Sequence, residues 1–157
     1  MKNAFSLCIF ALSAFLFMSA TGCGDGRPRC YPVQGVVQVD GKPLTGEFDG
    51  TIRFIHVTDT QKGRPATGKI GPDGRFSLTS YKDNDGCPKG KYQVELIVLR
   101  YNKNKTYYLV PPRYENHATS GIEVEITGKT TDLTISAEWT PKDSAYKKPI
   151  IGSDGAS

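Results

Sequence analysis

Apolar and polar side chains alternate along seven short stretches of this chain, and nowhere in them do apolar residues recur convincingly at the three-to-four spacing of a helix. The plainest stretch is 66–79. Ala66, Gly68 and Ile70 share one face leading in, Phe76 and Leu78 share one leading out, and Lys69, Arg75 and Ser77 point the other way. Between the arms, Gly71-Pro72-Asp73-Gly74 reads as a turn: Pro72 presets φ at the first central position, Asp73 suits the second, and Gly74 accepts φ > 0. A hairpin with one buried face is expected.

The remaining alternation predicts the other strands. Val33, Gly35, Val37 and Val39 alternate with Gln34, Val36 and Gln38 and stop at Asp40-Gly41-Lys42-Pro43. Over 51–57, Ile52 and Phe54 share one face and Arg53 and Ile55 the other. The longest and most apolar run is 92–99, which is expected to be central. Ile122, Val124 and Ile126 then face inward against Glu123 and Glu125, and Leu133, Ile135 and Ala137 close the series. Short alternating strands with regular turn signals predict an all-β fold, a seven-stranded two-sheet β-sandwich. Residues 81–91 carry Asp83, Asp85, Gly86, Pro88 and Gly90 and read as a solvated turn, with too few oxygen ligands for calcium. Residues 100–115 break the alternation and read as a loop.

The first residues have a different pattern. Lys2, an apolar run over 4–18, and Ser19-Ala20-Thr21-Gly22 have the makeup of a signal peptide, and the run is shorter than the roughly 20 residues a spanning helix needs. Ala20-Thr21-Gly22-Cys23 resembles the lipobox of bacterial lipoproteins, although Ala20 stands where that family prefers Leu. The resemblance implies cleavage before Cys23 and a diacylglyceryl group on its thiol. The expected division is a signal peptide over 1–22, a tether over 23–32, the sandwich over 33–139 and a flexible tail over 140–157. The mature protein would be exported and held through lipidated Cys23 at a bacterial membrane, either the outer membrane or a periplasmic face.

Composition changes this picture little. The formal charge of +4 falls by one when Lys2 leaves, which is too mild to demand a nucleic-acid partner. Of four cysteines, Cys8 leaves with the signal and Cys23 is acylated. In an oxidising compartment the remaining pair, Cys30 and Cys87, is expected to form a disulfide, worth about 4 kcal/mol for a loop of that length. No metal or cofactor site is expected, since there is no Cys-x-x-Cys pair and His56 and His117 have no ligand spacing.

The motifs Val39-Asp40-Gly41-Lys42-Pro43-Leu44, Gly68-Lys69-Ile70-Gly71-Pro72-Asp73-Gly74-Arg75-Phe76 and Asp85-Gly86-Cys87-Pro88-Lys89-Gly90-Lys91-Tyr92-Gln93-Val94 resemble the carboxypeptidase regulatory-like, transthyretin-like domains. They are most similar to the small lipoproteins of this type in planctomycete bacteria, whose closing motif Tyr114 with Ala118-Thr119-Ser120-Gly121-Ile122 also resembles. The resemblance implies a Greek-key, prealbumin-like sandwich without catalytic activity. Cys87 stands where that group has a small residue.

No Gly-x-Ser-x-Gly elbow and no phosphate loop is present, and Glu123 and Glu125 share one outward face, so no enzyme is expected. The candidate binding surface is the aromatic and basic stretch holding Arg100, Tyr101, Lys103, Tyr107, Tyr108, Arg113 and Tyr114. Tyrosine rings stack on sugars or peptides, and guanidinium groups grip carboxylates. The sequence is thus read as a non-catalytic envelope lipoprotein, a structural or protein-interaction module, with carbohydrate or peptide binding through that stretch as the alternative.

Overall fold

The computed structural model describes residues 26–57, 64–103, 105–144 and 146. Two sheets face each other in a β-sandwich, with nine strands among the described residues. In the first sheet, β1 (Val33–Val39) runs parallel to β9 (Thr130–Ala137) along its whole length. Its other edge is shared by β5 (Arg75–Ser77) and the two-residue β2 (Lys42–Pro43), both antiparallel. In the second sheet, β3 (Asp49–His56) lies between β4 (Ala66–Lys69) and β6 (Gly90–Asn102). The far edge of β6 is divided between β8 (Glu123–Ile126) along its first residues and β7 (Lys105–Tyr108) along its last.

The core is the set of inward residues that alternation predicts. Ile52, Phe54, Val94, Leu96 and Val98 of the second sheet meet Val33, Val37, Phe76, Leu78 and Ile135 of the first, all buried. Phe54 packs at 5.8 Å from the Tyr92 ring and 6.4 Å from that of Phe76, which ties the sheets together across the middle. Burying a side chain of this size is worth about 1.5–3 kcal/mol. β6 is central, as expected.

Two expectations change. The arms of the 66–79 hairpin belong to different sheets, β4 pairing with β3 and β5 with β1, and only the bridges Ile70↔Phe76 and Thr67↔Thr79 join them. The turn is therefore a corner between layers. At Gly74, φ is +79° and an added Cβ would lie 2.7 Å from the Leu44 carbonyl oxygen, so the corner closes only on a glycine. The second change is in strand number: β2 and β7 join the seven expected strands, because β6 continues past Arg100 to a turn around Lys103, where φ is +52°. The return strand lacks a Gly or Pro signal.

The strands also give the sandwich two distinct ends. At the near end lie the entering segment 26–32, the loop 78–89 and residues 127–129, since Val33 pairs with Thr130 and Gly90 with Ile126. At the far end lie the 40–48 and 71–74 turns, the Lys103 turn and residues 138–144. β6 spans 13 residues, about 40 Å at 3.3 Å per residue, and so runs nearly the whole length.

Candidate functional site

The seven residues of the aromatic and basic stretch separate into two groups. Arg100, Tyr101, Lys103, Tyr107 and Tyr108 sit on the β6–β7 hairpin at the far end, where Arg100 opposes Tyr107, Tyr101 opposes Thr106, and Leu99 opposes Tyr108. Directly opposed residues share a face and neighbours alternate. Tyr107 therefore lies on the face of Arg100, and Tyr101 and Tyr108 lie on the other, so the rings do not form one platform. Tyr101 is 62% exposed, while Tyr108 is half-buried with the Tyr146 ring edge-on at 6.2 Å. Arg100 Nε–H donates to the Glu47 carbonyl at 3.0 Å and holds the hairpin against the 45–49 turn. Between them is a shallow cleft of about 440 Å³ lined by Glu47, Phe48, Asp49, Arg100, Tyr101 and Asn102.

Arg113 and Tyr114 form a separate junction, with Tyr114 buried and Arg113 partly exposed. A 3₁₀ turn, Pro112–Glu115, tucks the Tyr114 ring into the core at 6% exposure. The Tyr114 hydroxyl accepts from Glu138 N–H at 3.0 Å and from Arg113 Nη2 at 2.9 Å. Arg113 also donates to the Glu138 carbonyl at 2.6 Å and pairs with the buried Asp143 carboxylate. The Tyr114 ring is closed to a ligand and the Arg113 guanidinium, 29% exposed, is committed to these acceptors, so the two stand apart from the hairpin surface. The reason is tertiary: residues 138–143, following β9, fold back over the 3₁₀ turn, so the fold continues past the expected start of a tail at Thr140.

This interior ion pair gives the domain a defined response to acid. The Arg113 guanidinium, aided by the N–H and hydroxyl of Thr140, holds the Asp143 carboxyl down to about 2 against the opposing effect of burial. A folded value below the ordinary carboxylate value of roughly 3.9 means that the contribution to stability is complete above about pH 4 and is lost as pH falls toward 2. Thermal unfolding of Asp143→Asn, followed by circular dichroism, should vary less between pH 4 and 2 than that of the parent. Parallel curves would show that this carboxylate does not carry the acid response.

Cys30 and Cys87 come to the same end of the molecule but remain free thiols, which corrects the expected disulfide. The antiparallel bridge at this point pairs Cys87 with Tyr31, through N–H···O bonds of 2.9 and 3.1 Å, and not with Cys30. Cys30 Sγ instead lies 3.8 Å from the Pro28 carbonyl. Burial pushes the Cys87 thiol up to about 12 and raises Cys30 as well, so neither is an activated nucleophile. Beside them, the Asp85 carboxylate accepts from the backbone N–H groups of Ser80, Lys82 and Tyr81 at 2.7, 3.0 and 3.1 Å. Burial alone would raise its pKa, but these donors bring it below the ordinary value.

The sequence reading missed one polar group. Glu95, 7% exposed in mid-β6, lies between Arg53 of β3 at 2.8 Å and the His117 Nδ1 at 2.9 Å. His117 begins a one-turn helix, α1 (His117–Ser120), whose N-terminus is capped by the Asn116 side chain. Residues 109–122 pass beside the part of β6 that neither β7 nor β8 covers, and Glu95 anchors them there. Arg53 and Glu95 are direct cross-strand partners, but nothing along the chain signals their meeting with a histidine 22 positions further on. In the same one-turn helix, the Ser120 hydroxyl donates to the His117 carbonyl and that of Thr119 to the Arg113 carbonyl. The arrangement is one of anchoring. Cys23 lies outside the described residues, as do the first 25 positions.

The fold and its surfaces define an all-β sandwich that presents an aromatic and basic hairpin at one end. No protein-family model and no curated protein matches the chain. Among solved structures, it is similar to a DUF3823 family protein from Parabacteroides merdae at 15% identity and a TM-score of 0.38, over 71% of this chain and 47% of that one. It is also similar to a 9R-lipoxygenase from Cyanothece at 16% identity and a TM-score of 0.34, over 83% of this chain and 20% of that one. Neither likeness bears on what this chain does. Among the described residues, no helix is long and apolar enough to cross a membrane.

Proposed function

We propose that this chain is a non-catalytic lipoprotein of a bacterial envelope, related to the carboxypeptidase regulatory-like, transthyretin-like lipoproteins and anchored through Cys23. In this reading it is a structural or protein-interaction module. The observation that supports it is the polarity of the sandwich. The chain coming from Cys23 joins the domain at the near end, and β6, of 13 residues, carries Tyr101, with Lys103 in the turn that follows, about 40 Å away at the other. A domain anchored in this way holds its most exposed aromatic ring out toward the envelope space. Intact-mass analysis of membrane-extracted protein should show a lipid adduct on Cys23, and a chain with a free thiol there would overturn the anchor.

The alternative, a carbohydrate or peptide ligand, is favoured by the cleft between Arg100, Tyr101 and Phe48. Envelope-polysaccharide arrays and cross-linking pull-down from native envelopes separate the two. Retention on polysaccharide that is lost in Tyr101→Ala supports the ligand. Cross-linking to a protein that depends on Tyr101 and Lys103 supports the interaction module.

A further inference from the structure

We infer that the near end of the sandwich is a docking face for an anionic bilayer, an inference that rests on the Cys23 anchor proposed above. Arg27 follows Cys23 by four positions, a span of at most about 14 Å. A lipid on Cys23 therefore keeps this end within reach of the headgroups. Several exposed cations belong to the segments gathered there: Arg27, Arg29, Lys82, Lys89 and Lys129, with Arg64 just before β4, whose first residue Ala66 pairs with Phe54 near the same end. Against them stand Asp83 and Asp85 in the loops, Asp132 and Glu123 a few residues along β9 and β8, and Asp25 in the sequence before Arg27, and the Asp85 carboxylate is turned onto the backbone N–H groups of its own loop. Lys91 and Glu125 oppose each other in the β6–β8 ladder and cancel. At the far end, by contrast, Asp40, Glu47, Asp49 and Asp73 offset the lysines and arginines of the turns.

The near-end cations are arranged around aromatic rings. Arg29 and Lys89 both lie over the Tyr31 ring, at 5.3 and 5.1 Å from its centre, and Arg27 lies over Tyr81 at 5.5 Å. The Tyr31↔Cys87 bridge holds these two segments together. Tyrosine is enriched at the headgroup level of membranes, and Lys and Arg are attracted to anionic headgroups within a Debye length of about 8–10 Å. Val57, 45% exposed at the end of β3, adds an apolar contact to the same end. Each cation near an anionic leaflet is worth about a fivefold gain in partitioning, or about 1 kcal/mol. Such a face would hold the domain upright on its lipid instead of letting it swing.

The test uses the chain from position 23 onward carrying Cys23→Ser, which keeps every strand and every core side chain but cannot be acylated. Flotation at low salt with vesicles of equal phosphatidylglycerol and phosphatidylcholine should recover the protein, and vesicles of phosphatidylcholine alone should not. Arg27→Ala/Arg29→Ala/Lys89→Ala should weaken recovery by about tenfold or more. Lys42→Ala/Arg75→Ala/Lys142→Ala, the same charge change at other positions, should leave it nearly unchanged. Failure of the parent to float, or equal losses in the two triple variants, would overturn the docking face. Because the chain tested carries no lipid, these outcomes are independent of the mass analysis that tests the anchor.

Discussion

Tyr114→Ala should destabilise the domain by about 3–5 kcal/mol, the usual cost of emptying a buried aromatic site, while Tyr101→Ala should change stability by less than about 0.5 kcal/mol. The two tyrosines look equivalent in the sequence. The Tyr114 ring is buried at 6% exposure beneath the Arg113 guanidinium, which lies 4.6 Å from its centre, whereas Tyr101 is 62% exposed. Removing the Tyr114 ring also deprives Glu138 N–H and Arg113 Nη2 of their acceptor. Tyr114→Phe keeps the packing and removes only the hydroxyl, so its cost should fall to about 1–3 kcal/mol. Urea denaturation of the three variants measures this order. Equal midpoints for Tyr114→Ala and Tyr101→Ala would mean that the Arg113–Tyr114 junction does not close the sandwich. If Tyr101→Ala alone also loses a partner or ligand, the hairpin is functional and the junction structural.

Gly86→Ala should cost about 3 kcal/mol or more, since a positive φ on a non-glycine residue and a backbone clash each cost about 1–3 kcal/mol. Here φ is +81°, and the added Cβ would lie 1.8 Å from the Tyr31 carbonyl oxygen and 2.8 Å from Pro32 Cα. Those atoms are backbone and cannot rotate away. The damage should be confined to the near end: amides of Tyr31 and Cys87, which bond to each other's carbonyls, should lose hydrogen-exchange protection before those of β6 do. Gly41→Ala makes the comparison, because φ there is +76° but nothing lies within 4 Å of the new methyl. Its cost should be about 1 kcal/mol. If the two substitutions cost the same, the close approach of the entering segment to the 80–89 loop is not a constraint. In the anchored reading, Gly86→Ala would also free the domain to tilt on its lipid.

The strand faces were legible because alternation is a local property. Ile52 with Phe54, and Val94 with Leu96 and Val98, must share a side of any extended chain, and an apolar side is buried. The corner at Gly71-Pro72-Asp73-Gly74 was likewise visible as a turn, because φ preferences belong to the residues themselves. That its arms join different sheets was not visible, since either pairing satisfies the same alternation. The candidate surface divided along the same line. Tyrosine and arginine have the same composition whether they face solvent or fill a gap, so the stretch read as one loop became an exposed hairpin and a buried junction.

What the sequence by itself determined is a chain of short amphipathic strands with tight turns at its glycines. Only the tertiary structure decided that the Cys87 backbone bridges to Tyr31 while both thiols stay free, that Arg113 is matched with Asp143, and that Glu95 is held between Arg53 and His117. It also decided which loops share an end, and hence which cations act together. The reason is physical: alternation and turn chemistry are set within a few residues, whereas these contacts join positions far apart in the chain and form only when two sheets close over one core.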